Sequence, residues 1–195
     1  MKTLTLLLLA SLTAPQSSTT QHPTSAAEST ISAEALGIYH DFLISYAGRN
    51  HMKVNLVRTT TVLTTGSGGP GEASSECSEH FPPADFEKDH QQTHQFDSSS
   101  TKDWPVVLID PDNSKIKDPE DAMRKGASVD KAVDAGFRAG QFSFSEIVFN
   151  QERTMAIFTY SFWCGSLCGN GATVLLEKKK GKWVRSHEFC GIWMS

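Results

Sequence analysis

The C-terminal stretch of this chain alternates, and that alternation limits the fold more than any other feature. From Thr154 to Cys164, the side chains of Ala156, Phe158, Tyr160 and Phe162 share one face of an extended chain, because successive strand residues point to opposite sides. The other face carries apolar residues too, which places this strand near the centre of a sheet. Further strands are expected over Phe142–Phe149, Ala172–Lys178 and Trp183–Met194, the last bent at Gly191. The segments between them are short: a turn at Asn150–Arg153, a loop at Gly165–Gly171 and a tight turn at Lys180-Gly181. Strands joined this way form an antiparallel meander. The expected core includes Phe144, Phe149, Ile157, Phe158, Tyr160, Phe162, Val174, Leu176, Val184 and Ile192.

Upstream, the periodicity changes. Leu36, Tyr39, Phe42, Leu43 and Tyr46 recur at three- and four-residue spacing, which predicts a helix over Ala33–Ala47. Ser32 suits its N-cap, Ile31 can staple onto Leu36, and Gly48 can end it. Lys53–Leu63, rich in Val and Thr, reads as a strand, and Trp104–Ile109 as another. Asp118, Pro119, Glu120 and Asp121 form a helix start. A following helix from Ser128 to about Arg138 lines up Val129, Ala132, Val133 and Phe137 on one side. Between these elements, 66–101 is dominated by Gly, Ser, His and Asp and reads as a long polar loop, with a helical turn at Pro83–Lys88. The expected class is α+β: a C-terminal meander of four to five strands with helices packed on one face.

The N-terminus carries Lys2, then the apolar run Leu4–Ala10, then small and polar residues. That order is the pattern of a secretory signal peptide. The run is too short to span a bilayer, so the expected product is exported and not membrane-spanning. Residues 1–27 are read as signal and linker, with cleavage open between Ala14 and Ala26, and residues 28–195 as one domain. A net charge of −4 with no basic stripe argues against nucleic acid as a partner. A monomer in the periplasm or outside the cell is expected.

Export makes the four cysteines readable as two disulfides. Four cysteines allow three pairings. Cys164 and Cys168 sit close together beside glycines and can close a tight loop, which leaves Cys77 for Cys190.

From Phe144 to Ser195 the chain resembles the C-terminal region of a family of exported bacterial proteins with no assigned activity. The residues that carry the likeness are Ser145-Glu146-Ile147-Val148-Phe149-Asn150, Cys164-Gly165-Ser166-Leu167-Cys168-Gly169-Asn170-Gly171 and Val174-Leu175-Leu176-Glu177-Lys178. Gly181-Lys182-Trp183 and the ending Trp193-Met194-Ser195 continue it. The resemblance implies secretion and an α+β fold. It implies no chemistry, and it does not extend to the loop holding Cys77 or to Cys190.

Three constellations are candidates for function. The first is the corner from Trp163 to Gly171. Gly165, Gly169 and Gly171 permit positive φ, so backbone N–H groups could converge on an anion, with Trp163 as a stacking surface. The competing reading is a loop whose glycines only solve the geometry. A redox catalyst is disfavoured, because three residues separate the cysteines and no helix N-terminus is expected to lower a thiol pKa there. The second is Cys77 with His80, His90 and His94, whose spacing is like that of a zinc site. The third, at Asp110–Ser114, has alternate oxygen side chains but lacks the calcium-loop glycine. No nucleophile elbow, paired carboxylates or zinc-protease helix is present. His187 lies beside Glu188 and Ser186 on a strand, where neighbours face opposite sides. The expected role is therefore a non-catalytic exported protein without a cofactor, binding a small ligand, glycan, envelope component or protein partner. The alternatives are a secreted hydrolase built across the fold, or a metal-binding protein using the 77–94 loop.

Overall fold

The computed structural model describes residues 30–47, 53–110, 119–165 and 168–195. The signal and linker reading of 1–27, the Gly48 stop, the Asp118 cap and most of the Asp110–Ser114 loop lie outside these residues.

The long strand sits where its two apolar faces require. β7 (Met155–Gly165) is flanked by β8 (Cys168–Lys179) and β5 (Gln141–Phe144) in a sheet ordered β10-β8-β7-β5-β1-β4, with β1 Val54–Val57, β4 Val106–Ile109 and β10 Ile192–Met194. β6 (Val148–Phe149) adds to β7, and β9 (Lys182–Arg185) adds to β8. All pairs from β5 to β10 are antiparallel. The C-terminal meander is therefore present in an α+β fold, and the sheet extends beyond it through β1, which is parallel to both β4 and β5. Parallel neighbours need a crossover. Helices α3 (Pro119–Arg124) and α4 (Val129–Ala139) supply it between β4 and β5.

One sheet face receives α1 (Ala33–Ala47). Ser32 caps it as expected, accepting from the Ala35 amide at 3.2 Å. Tyr39, Phe42 and Leu43 pack onto Phe142, Phe144, Phe158 and Phe162. Tyr39 meets Phe96, Phe144 and Phe158 with centroid distances of 4.9–5.7 Å. Each such ring removes roughly 1.5–3 kcal/mol worth of apolar surface from water. Burial pushes the Tyr39 phenol well above its ordinary pKa, with the Glu146 carboxylate adding to the effect. The phenol keeps its proton and donates to the Ser145 carbonyl at 2.7 Å.

The other face corrects the reading of 66–101 as a polar loop. Strands β2 (Thr64–Gly66) and β3 (Glu72–Ser74), helix α2 (Ser75–Ser78) and two 3₁₀ turns form a thin layer. It buries Leu63, Ala73, Cys77, Phe81 and Phe86 against Val148, Ile157 and Leu175. Few apolar residues suffice because the Cys77–Cys190 disulfide, with Cα atoms 5.5 Å apart, staples the layer to the C-terminus. Its loop of 113 residues is worth about 4–5 kcal/mol on the chain-entropy model. The Cys164–Cys168 bridge spans only 4 positions and contributes about 2 kcal/mol on the same model.

Three further expectations are corrected. The Lys53–Leu63 strand shrinks to β1, because Thr59 and Thr61 leave it for single bridges to Gln95 and Ser145. The final strand splits into β9 and β10, with Gly191 at φ 88° between them. Val184 and Ile192 lie on that outer edge and are exposed, at 37% and 56%, rather than in the core.

Glu34 locks the start of α1 to the far end of the meander. It accepts from Lys178 Nζ at 2.7 Å, from Arg153 Nη2 at 2.5 Å and from Trp183 Nε1 at 3.1 Å. The Lys178 and then the Arg153 hydrogen bonds hold its carboxyl down to about 2, from the usual 4.5. A depressed folded-state pKa contributes stability that is complete above the unfolded value and lost as pH falls through the folded one. Thermal melts should therefore show a loss between pH 4.5 and about 2 that Glu34→Gln removes. At neutral pH that variant should be destabilised by about 1 kcal/mol, the site being partly solvated.

Candidate functional site

The corner where β7 turns into β8 sits under α3 and α4. The crossover's small residues allow this approach. Gly136 on α4 is buried, and a Cβ there would lie 2.7 Å from Pro119 Cγ and 3.0 Å from the Cys164 carbonyl oxygen. Ala132 is its buried companion. The larger residues of α4 stay partly exposed: Val129, Val133 and Phe137 are 61%, 39% and 48% exposed. The expected apolar side of this helix is thus divided, with Ala132 and Gly136 buried and the bulkier stripe partly exposed.

Between that stripe and the sheet lies a cavity of about 360 Å³. Met123, Val133, Phe137 and Met194 supply apolar lining, and Cys164, Cys168 and Gly169 of the β7–β8 corner complete it. Asn170, Ser195 and Glu120 bring the polar atoms. Phe137 stacks on Phe162 at 5.8 Å, which fixes one wall. The volume falls within the range of small-molecule sites, which are mostly apolar with a few polar groups.

The predicted corner residues divide between the two faces. Gly165 ends β7 with φ 135°, and Gly169 lines the cavity. Gly169 and Gly171 lie in β8, paired with Trp163 and Ser161. Their amides belong to ladders and do not converge, so the anion nest expected of the three glycines is not formed by them. Their absent side chains serve another purpose. Trp193 of β10 pairs with Gly171, and its ring occupies the space a Cβ would fill there. Trp163 stands 6.2 Å from Trp193 and is 40% exposed, outside the cavity lining. The expected loop at Gly165–Gly171 is shorter, because β8 already begins at Cys168. Ser166 and Leu167 lie outside the described residues.

The zinc-like set does not assemble. Cys77 is bonded to Cys190, and His80, His90 and His94 meet three different carboxylates, Glu188 at 3.1 Å, Glu87 at 3.7 Å and Glu146 at 2.8 Å. Among the described residues no group of three or more His, Cys, Asp or Glu is placed to hold a metal ion. Asp110 is paired with Arg58 Nε at 2.9 Å.

Sequence reasoning missed the His94–Glu146 pair, whose partners are 52 residues apart. Glu146 accepts from His94 Nδ1 at 2.8 Å, from the His94 amide at 3.0 Å and from the Thr60 hydroxyl. A carboxylate on one ring nitrogen is how a general base is oriented. The nearby hydroxyl is not aimed at the imidazole, however: Thr60 Oγ1 is held by Glu146 and by the backbone of His94. Ser186 Oγ is likewise committed, to Glu177 at 2.8 Å, while His187 is exposed. Neither histidine has a free hydroxyl nucleophile assembled on it among the described residues.

No family model, curated protein or solved structure matches this chain.

Two glycine substitutions separate these roles. Gly171→Ala drives a methyl into the Trp193 ring and the Tyr160 carbonyl and should cost about 1–3 kcal/mol. The same change at Gly37, whose Cβ position in α1 is open, should be neutral or stabilising by about 0.5–1 kcal/mol. Denaturant melts read both values, and only Gly171→Ala should alter tryptophan emission.

Proposed function

We propose that this chain is an exported, non-catalytic binding protein that takes an apolar group of a small ligand or envelope component into the cavity beneath α3 and α4. The observation that carries the reading is the surface stripe Val129, Val133 and Phe137. Three apolar residues left exposed on one helix, beside a cavity with apolar walls, mark an interaction site rather than a core. The walls favour an acyl chain or aromatic ring. A sugar would leave most of its hydroxyls unpaired there, since only Glu120, Asn170 and Ser195 bring polar side chains to the lining.

Export is supported by the two disulfides, which persist in oxidising compartments. Among the described residues no helix is long and apolar enough to cross a membrane.

The test uses N-phenyl-1-naphthylamine, an uncharged probe whose emission rises in apolar surroundings. The folded protein should bind it, and Val133→Glu, which puts a charge on the cavity wall at a position already partly exposed, should weaken binding by about tenfold or more. Equal binding by both proteins, or none by the parent, overturns the reading.

A further inference from the structure

The two disulfides sit in opposite surroundings. Cys77 and Cys190 are 1% and 3% exposed and lie inside the layer formed by Leu63, Ala73, Phe81 and Phe86. No thiolate reaches either sulfur without that layer opening. Cys164 is equally buried at 1%, but Cys168 is only partly covered, and both line the cavity under α3 and α4. That cavity opens beside Met123, Phe137 and Met194, which are 36%, 48% and 77% exposed.

We propose that Cys164–Cys168 is a thiol–disulfide exchange site, which accepts two electrons from an external dithiol while Cys77–Cys190 remains closed. Disulfides are opened by a thiolate attacking one sulfur, and access decides which sulfur is attacked. Cys168 is the less covered residue of the pair, so the attack is assigned to its Sγ. The incoming thiolate bonds to it, the Sγ–Sγ bond breaks, and the electron pair leaves on Cys164 Sγ. That sulfur takes a proton from solvent and becomes a thiol. Its hydrogen has an acceptor in place, the Cys168 carbonyl oxygen at 3.0 Å. The second thiolate of the dithiol then attacks its own sulfur in the mixed disulfide and expels Cys168 as a thiolate, which also takes a proton. The dithiol ends as a disulfide, and the two protons it lost match the two gained by the cysteines.

This role differs from that of a redox catalyst. A catalyst must supply a low-pKa thiolate of its own, whereas here the partner brings the nucleophile. The fold tolerates the opened state because backbone holds the corner independently of sulfur. The β7–β8 ladder is continuous from Met155↔Glu177 to Trp163↔Gly169, and β10 pairs with β8 from Ala172 to Asn170. The proposal does not depend on ligand binding in the cavity, only on its opening to solvent.

The oxidised full chain, equilibrated with graded dithiothreitol and alkylated with N-ethylmaleimide, tests the proposal by peptide mass spectrometry. Cys164 and Cys168 should become modified together at a dithiol concentration at least about tenfold below that needed for Cys77 and Cys190, with the near-ultraviolet circular dichroism retained. Opening of both bridges in parallel, opening of Cys77–Cys190 first, or loss of the circular dichroism signal as Cys164–Cys168 opens overturns the proposal. A second arm uses a short pulse of 2-mercaptoethanol, a monothiol, with the freed cysteine alkylated at once so that the mixed disulfide is trapped before a second thiolate or the neighbouring cysteine resolves it. The adduct is expected on Cys168, and an adduct on Cys164 overturns the stated direction of attack.

Discussion

The β7–β8 hairpin is a strand pair buried on both faces, and the other elements are arranged to cover it. Ala156, Phe158 and Phe162 of β7, with Val174 and Leu176 of β8, need a lid on one side. Ile157 and Leu175 need one on the other. An antiparallel sheet often leaves one face to water; this one does not. Helix α1 covers the first face with a cluster of aromatic rings. The second face is covered by a thin layer around Leu63, Ala73, Phe81 and Phe86, which the long-range Cys77–Cys190 disulfide ties to the C-terminus.

That division of labour sets what each end of the molecule can do. At the Glu34 end, ion pairs and the Trp183 indole tie the helix to Arg153 in the turn before β7 and to the β8–β9 hairpin. At the opposite end the sheet outruns its main helix, and the crossover helices close over it. Because Gly136 and Ala132 let α4 sit low on the corner, its larger side chains stay at the surface. The cavity arises from this mismatch between a close backbone approach and side chains too large to follow it inward. The same approach places one disulfide in a cavity wall while the other lies sealed between layers.

The corner glycines show how one residue type carries unrelated duties. Gly165 takes a positive φ, whereas Gly169 and Gly171 stay in a regular strand and make room for Trp193. Composition alone does not separate these cases, since both appear as glycine beside cysteine. Nor does spacing reveal that His94 and Glu146 meet, because the contact depends on where two distant segments leave the sheet.

Local pattern sufficed for the C-terminal meander, for α1 and its Ser32 cap, and for the pairing of four cysteines. Each rests on short-range periodicity, or on the few ways so small a number of sulfurs can combine. Tertiary structure alone decided that 66–101 is a packed layer, that β1 and β4 extend the sheet in parallel, and that the Val129, Val133 and Phe137 stripe faces outward. The physical reason is shared. A strand pairing or a buried face is set by what lies opposite, and in this chain the opposing residues lie far away in sequence, as Cys77 and Cys190 do at a separation of 113. An amphipathic helix reveals that it has an apolar side, but its partner determines which side goes in, and here a glycine and an alanine won that place over two valines and a phenylalanine.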